Sequence, residues 1–227
     1  MTESSETVGP LRLWGLGTGR TLRPVWILHE LGLPFEHEQI ITRTDGMNSP
    51  AFLKLSQRGK IPLLEDGDLM IGESAAICLH LADRYRNHGA FVPDAGSIDR
   101  ARHDELCWFT MTEIDAILYT IRRHEGLPEI YGASEVAVEA AKEYALRSFG
   151  EMERRLSDGR PHLLGEDFMV ADLLVKTCLD WATAVCKIPL PESLAAYGQR
   201  IAARPAYSTA MAQNFPPEVM AALTKNA

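Results

Sequence analysis

Two short segments that flank a predicted β-hairpin constrain the fold of this chain more than any other feature. The apolar runs Ile61 to Leu64 and Leu69 to Ile71 lie on either side of Asp66-Gly67, a dipeptide that tolerates the positive φ of tight turns. We therefore predict two antiparallel strands here. Because Pro62 has no N–H to donate, the first strand cannot be fully paired near Ile61. The sequence thus predicts an open backbone edge at Ile61, to which an extended peptide can bind by strand addition.

A helix is predicted to begin directly after this hairpin. Between Glu73 and Arg86, apolar residues recur every four positions, at 77, 81 and 85, so Gly72-Glu73-Ser74 is the expected turn into an amphipathic helix. The N-terminus of a helix attracts anions. The Ser74 hydroxyl and the first-turn N–H groups can therefore hold a carboxylate while Glu73 holds an ammonium group. Together these groups match the α-amino acid end of a peptide.

The first part of the chain alternates short strands with helical patterns, which favours an α/β unit. The predicted order is β-α-β-α-β-β-α. Before the hairpin, we predict a strand at Leu11 to Trp14, a helix that opens near Thr21 with Pro24 in its first turn and ends at Gly32, a strand at Phe35 to Ile41, a polar loop at Arg43 to Asn48, and a short helix from Ser49-Pro50 to Leu55.

Glycine and proline cluster between Asn87 and Gly96, where the periodicity lapses, and we place a domain linker there. The predicted boundaries are 1–9 for a polar N-terminal tail, 10–87 for the first domain, 88–98 for the linker and 99–227 for the second domain. Beyond the linker, no strand candidate separates the stretches of helical spacing, so the second domain is predicted to be all helical. These stretches are Asp99 to His124, Ser134 to Leu156 and Val170 to Val185.

Composition argues against several classes of function. The net charge is −8 and no basic run is present, so we expect no binding of nucleic acid. No apolar run approaches the length of a membrane span, and the first ten residues resemble neither a secretory signal nor a transit peptide. We therefore expect no membrane partner and a cytoplasmic location. The four cysteines lack Cys-x-x-Cys and metal-ligand spacings, so we expect buried, reduced thiols and no metal; they are residues 78, 107, 178 and 186.

In their order and spacing, these pieces resemble the cytosolic glutathione transferase family, in particular its bacterial-type branch with a serine or threonine at the active site. The resemblance extends over nearly the whole chain, and each piece is weak when taken alone. The pieces are Leu11 to Trp14, Gly17-Thr18-Gly19-Arg20-Thr21-Leu22-Arg23, Trp26 to Glu36, Gly59-Lys60-Ile61-Pro62, Glu73-Ser74-Ala75 and Arg204-Pro205-Ala206-Tyr207. This resemblance implies a thioredoxin-like first domain, an all-helical second domain, glutathione as co-substrate and a homodimer.

The implied activity is a transferase that binds reduced glutathione and stabilises its thiolate for attack on small apolar electrophiles. A thiol with a pKa near 8.5 is only about 3% ionised at pH 7, and lowering that pKa by about two units raises the thiolate to roughly three quarters. A charge-assisted hydrogen bond and a helix dipole can supply the required ~2.7 kcal/mol. Thr18 and Thr21 are both candidate donors. The resemblance places Thr18 where many members carry a catalytic serine, so we predict Thr18 as the donor and Thr21 as the helix cap.

The resemblance also implies the remaining site residues. Beside Thr18, the expected glutathione contacts are Arg20, Asn48, Lys60, Ile61, Glu73 and Ser74. Many members carry glutamine where Lys60 stands, and several branches carry a basic pair where Met47 and Asn48 stand. The glycine carboxylate is therefore assigned to Asn48, Lys60 or Arg43. The first helix of the second domain is expected to face the thiol across a cleft; its residues are Trp108, Met111, Thr112, Asp115 and Tyr119.

One further departure from the family pattern concerns the helix predicted at Val170. The family commonly has a hydroxyl cap where Met169 stands here, so either Asp167 caps the helix or the helix starts elsewhere, at a cost of about 1 kcal/mol.

Two other classes of function remain open on the same fold. One is a glutathione-dependent disulfide reductase or hydroperoxide peroxidase that uses no protein cysteine. The other is a non-catalytic protein that binds ligands or partners. A dithiol oxidoreductase is disfavoured because no Cys-x-x-Cys follows the first strand.

Overall fold

The computed structural model describes residues 10–225 of the chain, with side chains as far as residue 221. The predicted N-terminal tail, residues 1–9, lies outside the described residues. Among the described residues, no helix combines the length and hydropathy needed to cross a bilayer.

The first domain is built on a mixed sheet with the strand order β2-β1-β3-β4. The central strand β1 pairs in parallel with β2 and antiparallel with β3, and β3 pairs antiparallel with β4. The hairpin predicted around Asp66-Gly67 is therefore confirmed, although β3 begins two residues after Ile61. The strands are β1 (Leu11–Leu16), β2 (Phe35–Ile41), β3 (Leu63–Asp66) and β4 (Leu69–Gly72).

The helices of this domain complete the predicted thioredoxin-like order, with one addition. A single short helix, α2, occupies part of the segment that was predicted to be a polar loop. The helices are α1 (Gly19–Glu30), α2 (Asp45–Asn48), α3 (Pro50–Leu55) and α4 (Ser74–Arg84), followed by a 3₁₀ turn at Arg86–His88. Ser49 caps α3 as expected, since its hydroxyl accepts a hydrogen bond from the Phe52 N–H at 3.2 Å.

The start of α1 differs from the sequence prediction. The helix begins at Gly19 rather than near Thr21, because Thr18 takes the N-cap position. Pro24 consequently lies in the second turn of the helix, where it removes one hydrogen bond of the ladder. The end of α1 is as predicted, since Gly32 adopts φ +62° just after the last helical turn.

As far as the structure describes it, to residue 225, the second part of the chain is helical apart from one β-bridge between His162 and Gly165. A π-helical turn at Thr110–Asp115 joins its first two helices, α5 (Ile98–Phe109) and α6 (Ala116–Gly126), without interruption. The helices are α5 (Ile98–Phe109), α6 (Ala116–Gly126), α7 (Pro128–Tyr131), α8 (Glu135–Leu156), α9 (Val170–Ala184), α10 (Glu192–Ala202), α11 (Pro205–Asn214) and α12 (Pro217–Lys225). The prediction of an all-helical second domain is thus confirmed.

Helix α1 joins the two parts of the molecule. Its Trp26 is completely buried, with its ring centroid 5.7 Å from that of Phe168 and 4.8 Å from that of Tyr207. The main apolar cluster extends from the sheet through α1 into the helices of the second part. Packing of this kind fixes α1, and with it the turn that precedes α1, against both halves.

Helix α9 begins at Val170, so the alternatives raised by the missing hydroxyl cap are wrong. Met169 takes the N-cap position, and its own side chain makes no cap hydrogen bond. The buried Asp172 carboxylate holds this end instead, accepting hydrogen bonds from the Met169 N–H and Leu163 N–H at 2.9 Å and from the Tyr197 hydroxyl at 2.8 Å. Asp172 thus supplies the N3 half of a capping box, while its own N–H, from which a hydroxyl cap would accept, is bonded to the Met169 C=O at 3.0 Å.

Candidate active site

The turn between β1 and α1 carries both candidate threonines, which cap the helix together. The Thr18 hydroxyl accepts a hydrogen bond from the Thr21 N–H at 3.1 Å, and the Thr21 hydroxyl accepts one from the Thr18 N–H at 3.0 Å. The Thr21 hydroxyl in turn donates to the Thr18 C=O at 2.9 Å. Thr18 is therefore the N-cap, which corrects the expectation that Thr21 alone caps the helix.

The two hydroxyl groups differ in what they can still donate. Thr21 is completely buried and its one hydroxyl proton is already directed to the Thr18 C=O. Thr18 is half-buried, and its hydroxyl acts as an acceptor toward the Thr21 N–H, which leaves its proton available. The Thr18 hydroxyl can therefore donate to a ligand, or to the Thr21 oxygen 3.1 Å away.

The last residues of α11 hold the same turn through its backbone. The C=O of Asn214 accepts a hydrogen bond from the Gly17 N–H at 2.9 Å, and the Asn214 side-chain amide donates to the Thr18 C=O at 3.0 Å. Asn214 is completely buried. The sequence analysis did not find this residue, because nothing local marks a contact with a residue 196 positions away.

A second chain of hydrogen bonds reaches the end of β1 from α11. The ring nitrogens of His37 lie 3.1 Å from the Gln213 amide nitrogen and 3.0 Å from the Gly15 C=O. Because Gln213 donates there and the Gly15 C=O accepts, His37 is neutral with its proton on Nε2. Burial lowers the pKa of His37, which outweighs the effect of the Gly15 carbonyl. The Gln213 oxygen lies 2.7 Å from the His29 ring, which extends the chain into α1.

Ile61 lies beside the end of β1, just outside the strand ladder. The Ile61-Pro62 peptide bond is cis, and β3 pairs only from Leu63 onward. Gly15 has φ +106°, and a Cβ atom at that position would lie 2.6 Å from the Ile61 Cβ, so only glycine fits. Among the described residues, no hydrogen bond is made by the backbone N–H or C=O of Ile61. Both groups can therefore pair with an extended ligand.

Glu73 and Ser74 lie at the start of α4, in different environments. Glu73 is the N-cap residue, with φ +66°, and its exposed carboxylate pairs with Arg58 at 3.0 Å. Ser74 is buried, and its hydroxyl accepts a hydrogen bond from Arg23 at 3.1 Å. The Ser74 hydroxyl proton and the first-turn N–H groups remain suitable for a carboxylate. Arg58 was not anticipated, because the turn that brings it to Glu73 gives no periodic signal.

The segments that carry Asn48 and Lys60 lie next to each other. A Cβ atom on Gly59 would come within 3.7 Å of the Met47 C=O, which places the end of α2 against the loop before β3. The Ser56 hydroxyl fixes that loop, since it bonds both the N–H and the C=O of Lys60 at 3.0 Å. The side chains of Asn48 and Lys60 are exposed and are not hydrogen-bonded to each other.

A buried group of charges links the candidate site to the second part of the chain. Arg23 and Asp115 are 1% and 2% exposed, and they form an ion pair of 2.7 Å. Asp115 also pairs with Arg20. Asp115 is buried, which raises its pKa, but the two guanidinium charges prevail and lower it overall. Arg20, predicted to contact glutathione, thus has an internal partner, and the buried Arg23 was missed.

The residues predicted to line the electrophile side are placed differently from one another. Tyr119 is half-buried and its ring lies under Arg20, with the guanidinium carbon 4.5 Å from the ring centroid. The Met111 sulfur lies 3.4 Å from an Arg23 nitrogen. Trp108 and Thr112 are exposed, and the Thr112 hydroxyl bonds the Trp108 C=O. The structure therefore brings Tyr119 and Met111 to the arginines of α1 and leaves Trp108 and Thr112 on the surface.

All four cysteines are free and buried, as predicted. Burial raises the pKa of Cys78 and Cys178 to about 12 and that of Cys186 to about 11, and it also raises the pKa of Cys107. Thiols in such surroundings are poor nucleophiles near neutral pH. Any reactive thiol at this site is then a ligand's own.

The chain is similar to several known proteins. Residues 20–84 match the family model described as the N-terminal domain of glutathione S-transferase. Glutathione S-transferase 3 of Zea mays is 29% identical over 217 residues, which cover 90% of this chain and 95% of the maize protein. Human glutathione S-transferase theta-2 is 28% identical over 153 residues, which cover 63% of this chain and 59% of that protein.

Solved structures extend the comparison to the whole fold. A glutathione transferase from Methylococcus capsulatus superposes with a TM-score of 0.78 at 29% identity, covering 90% of this chain and 98% of that one. A family member from Pseudomonas fluorescens, solved with two glutathione molecules bound, has the same fold, with a TM-score of 0.77 at 23% identity over 88% of this chain and 92% of that one. The fold is thus that of a glutathione transferase, and residues 20–84 match the N-terminal domain of that family.

Proposed function

We propose that this protein is a glutathione transferase of the branch in which a serine or threonine hydroxyl stabilises the thiolate, and that Thr18 is that residue. The observation that carries the proposal is the shared cap of α1. It uses the Thr21 proton internally and leaves the Thr18 proton at the positive end of the helix. A donor placed there stabilises a thiolate through a charge-assisted hydrogen bond.

We further propose how reduced glutathione binds. Its cysteine backbone pairs with the free N–H and C=O of Ile61, and its glutamyl end is held by Ser74 and by Glu73, which exchanges Arg58 for the ammonium group. Asn48 or Lys60 receives the glycine carboxylate. Arg20 adds positive potential beside the sulfur, since it lies two residues after Thr18.

The proposed reaction with a chlorinated, electron-poor aromatic acceptor balances without a redox step. The thiol loses its proton to solvent, and the Thr18 hydroxyl stabilises the resulting thiolate. The sulfur attacks the ring carbon that carries chlorine, so a C–S bond forms, the C–Cl bond breaks and chloride leaves with the bonding pair. The protein contributes position and electrostatic stabilisation.

In this proposal residues 10–87 bind glutathione, residues 88–98 connect the domains, and residues 99–227 line the electrophile side in a cytoplasmic homodimer. The curated relatives and the overall likeness to glutathione transferases support the assignment as a transferase. A glutathione-dependent reductase or peroxidase would use the same glutathione site. Because all four cysteines are buried, it would have no reactive protein thiol.

Replacement of Thr18 tests the catalytic assignment. Thr18→Val is expected to lower kcat/KM by about 10- to 100-fold, because a hydrogen bond to a charged group contributes about 1.5–3 kcal/mol, and to abolish the ultraviolet absorbance of the bound thiolate. Thr18→Ser, which keeps the hydroxyl, should retain both. Thr21→Val should lower the free energy of unfolding but leave the absorbance of the bound thiolate nearly unchanged.

Binding is measured separately by calorimetry with reduced glutathione. Absence of binding at millimolar concentration would overturn both enzymatic readings in favour of a non-catalytic protein. If Thr18→Val still binds glutathione and conjugates it at an unchanged rate, the catalytic role of Thr18 is wrong, but the assignment as a transferase stands. A parallel hydroperoxide assay ranks peroxidase against transferase activity.

A further inference from the structure

Three arginines near the candidate site have no carboxylate partner among the residues that the structure describes. Arg122 and Arg123 lie on α6, and Arg43 lies in the loop after β2. None of the three forms an ion pair with another described residue. This contrasts with Arg20 and Arg23, which share Asp115. The excess positive charge is local, since the chain as a whole carries −8.

Arg122 and Arg43 carry like charges that act on each other. Burial, together with the positive charge of Arg43, lowers the pKa of Arg122. The Arg122 guanidinium makes one hydrogen bond, to the Gly126 C=O at 3.1 Å. Like charges brought together without a counter-ion cost free energy unless an anion joins them.

Tyr119 contacts both Arg123 and Arg20, the arginine that follows Thr18 by two residues. The guanidinium carbons of Arg20 and Arg123 are each 4.5 Å from the centre of its ring, and Trp181 packs beside it at 6.2 Å. The hydroxyls of Tyr119 and Tyr131 are 3.3 Å apart. Burial raises the pKa of Tyr119, but the Tyr131 hydroxyl and the charges of Arg123 and Arg20 lower it overall, whereas the hydrogen bond to Tyr119 raises the pKa of Tyr131. Either hydroxyl can be the donor of this hydrogen bond, so the pair can present a proton or a lone pair to a ligand.

We propose that the electrophile site selects aromatic acceptors that carry a carboxylate, which Arg123 holds while the ring lies against the edges of Tyr119 and Trp181. Arg122 and Arg43 add positive charge nearby. This inference rests on the proposed function and names its substrate class. A guanidinium fork suits a carboxylate, and the aromatic side chains suit a flat ring. The reaction is the displacement already described: the C–S bond forms, chloride leaves, and the carboxylate stays ionised throughout.

A matched pair of acceptors tests the proposal. We expect kcat/KM for 4-chloro-3-nitrobenzoate to exceed that for 4-chloro-3-nitrobenzamide, which has the same leaving group but no charge. Arg123→Gln should lower the ratio of kcat/KM for the benzoate to kcat/KM for the benzamide by about three- to tenfold. This factor lies between the effect of losing an exposed ion pair and that of losing a charge-assisted hydrogen bond. Added salt should also lower the ratio in the unaltered protein.

Arg147→Gln is the matched control variant. Arg147 also lies over a tyrosine ring, 5.2 Å from the centre of Tyr144 on α8, but it is not among the arginines of the cleft. The acceptor ratio should therefore stay at the value of the unaltered protein. An equal fall in Arg147→Gln and Arg123→Gln would overturn the proposal, since it would reflect net charge alone.

Binding of unreactive analogues separates failure of this inference from failure of the proposed function. Calorimetry with 3-nitrobenzoate and 3-nitrobenzamide should show tighter binding of the benzoate, and Arg123→Gln should remove that preference. Equal binding of the two analogues, or an acceptor ratio unchanged in Arg123→Gln, would overturn the carboxylate site even if glutathione is conjugated. Loss of glutathione binding and of all conjugation, with the benzoate preference intact, would overturn only the proposed function.

Discussion

At the scale of single residues, the most demanding position is Asp115. It is buried and faces two guanidinium groups, one of which belongs to the buried Arg23. A guanidinium in a protein interior requires a partner, because desolvation of an unpaired charge costs several kcal/mol. Arg23 also bonds Thr177 at 2.8 Å and Ser74 at 3.1 Å, so the same group orients the start of α4.

Removing the charge of Asp115 should therefore be costly. We expect Asp115→Asn to lower the free energy of unfolding by about 3–5 kcal/mol, because it leaves Arg23 charged and buried without its counter-ion. Urea unfolding measures this. The control is Asp99→Asn, which breaks an exposed pair with Arg102 on α5 and should change stability little. Equal stability of the two variants would contradict the expectation.

The sequence singled out those site residues that carry a local signal. Thr18 and Ser74 precede helical patterns and Ile61 precedes a proline, so their positions could be read from neighbouring residues. Arg23 and Asn214 could not be found in this way. Their partners lie far along the chain, and a contact between distant elements leaves no periodicity in either one.

At the scale of elements, the two helix starts with unusual caps are α1 and α9. The absence of a hydroxyl at Met169 was readable from the sequence, but the compensation by Asp172 was not. That carboxylate also reaches the Leu163 N–H and the Tyr197 hydroxyl, which only the folded chain brings near. Burial raises the pKa of Asp172 above its ordinary value, against the effect of its three donors.

We expect Asp172→Asn to destabilise the protein by about 2–3 kcal/mol, since one acceptor oxygen becomes a donor that faces another donor. Thermal or urea unfolding measures the loss. Asp167→Asn is the matched control, because Asp167 is exposed and was the alternative cap considered from the sequence. A loss of stability in Asp167→Asn instead would reassign the cap.

At the scale of the whole molecule, the half-buried His37 and the buried His103 couple stability to pH. Burial lowers the pKa of both His37 and His103. The unfolded chain then binds protons that the folded chain does not as pH falls through about 6.5, so stability decreases in that range. Above that pH both forms are neutral and the effect vanishes.

We therefore expect the free energy of unfolding to fall between pH 7 and pH 5, by at most about 1.4 kcal/mol per histidine and pH unit. Denaturant titrations at a series of pH values measure the slope. The double variant His37→Gln, His103→Gln should show a flatter slope than the unaltered protein. The comparison between the two proteins removes the opposite contribution of Asp172, which both contain. An unchanged slope would show that other groups dominate.

The overall architecture was largely predictable because it depends on local periodicity. Strands that alternate with helices before the linker, and helices alone after it, define the thioredoxin-like and helical parts. The individual helices α10 to α12 were not predicted, and neither was the π-helical turn, since a single extra residue per turn is not visible in an apolar pattern.

The hydrogen bonds between α11 and the β1–α1 turn determine how the chain can be truncated. Asn214 supports the Gly17 and Thr18 backbone from nearly two hundred residues downstream. A fragment that stops at the linker would keep every side chain proposed to contact glutathione. Its β1–α1 turn would nevertheless lose both hydrogen bonds to Asn214. Shortening the chain from its C-terminal end therefore acts directly on the β1–α1 turn, and both parts of the chain are needed to form the candidate site.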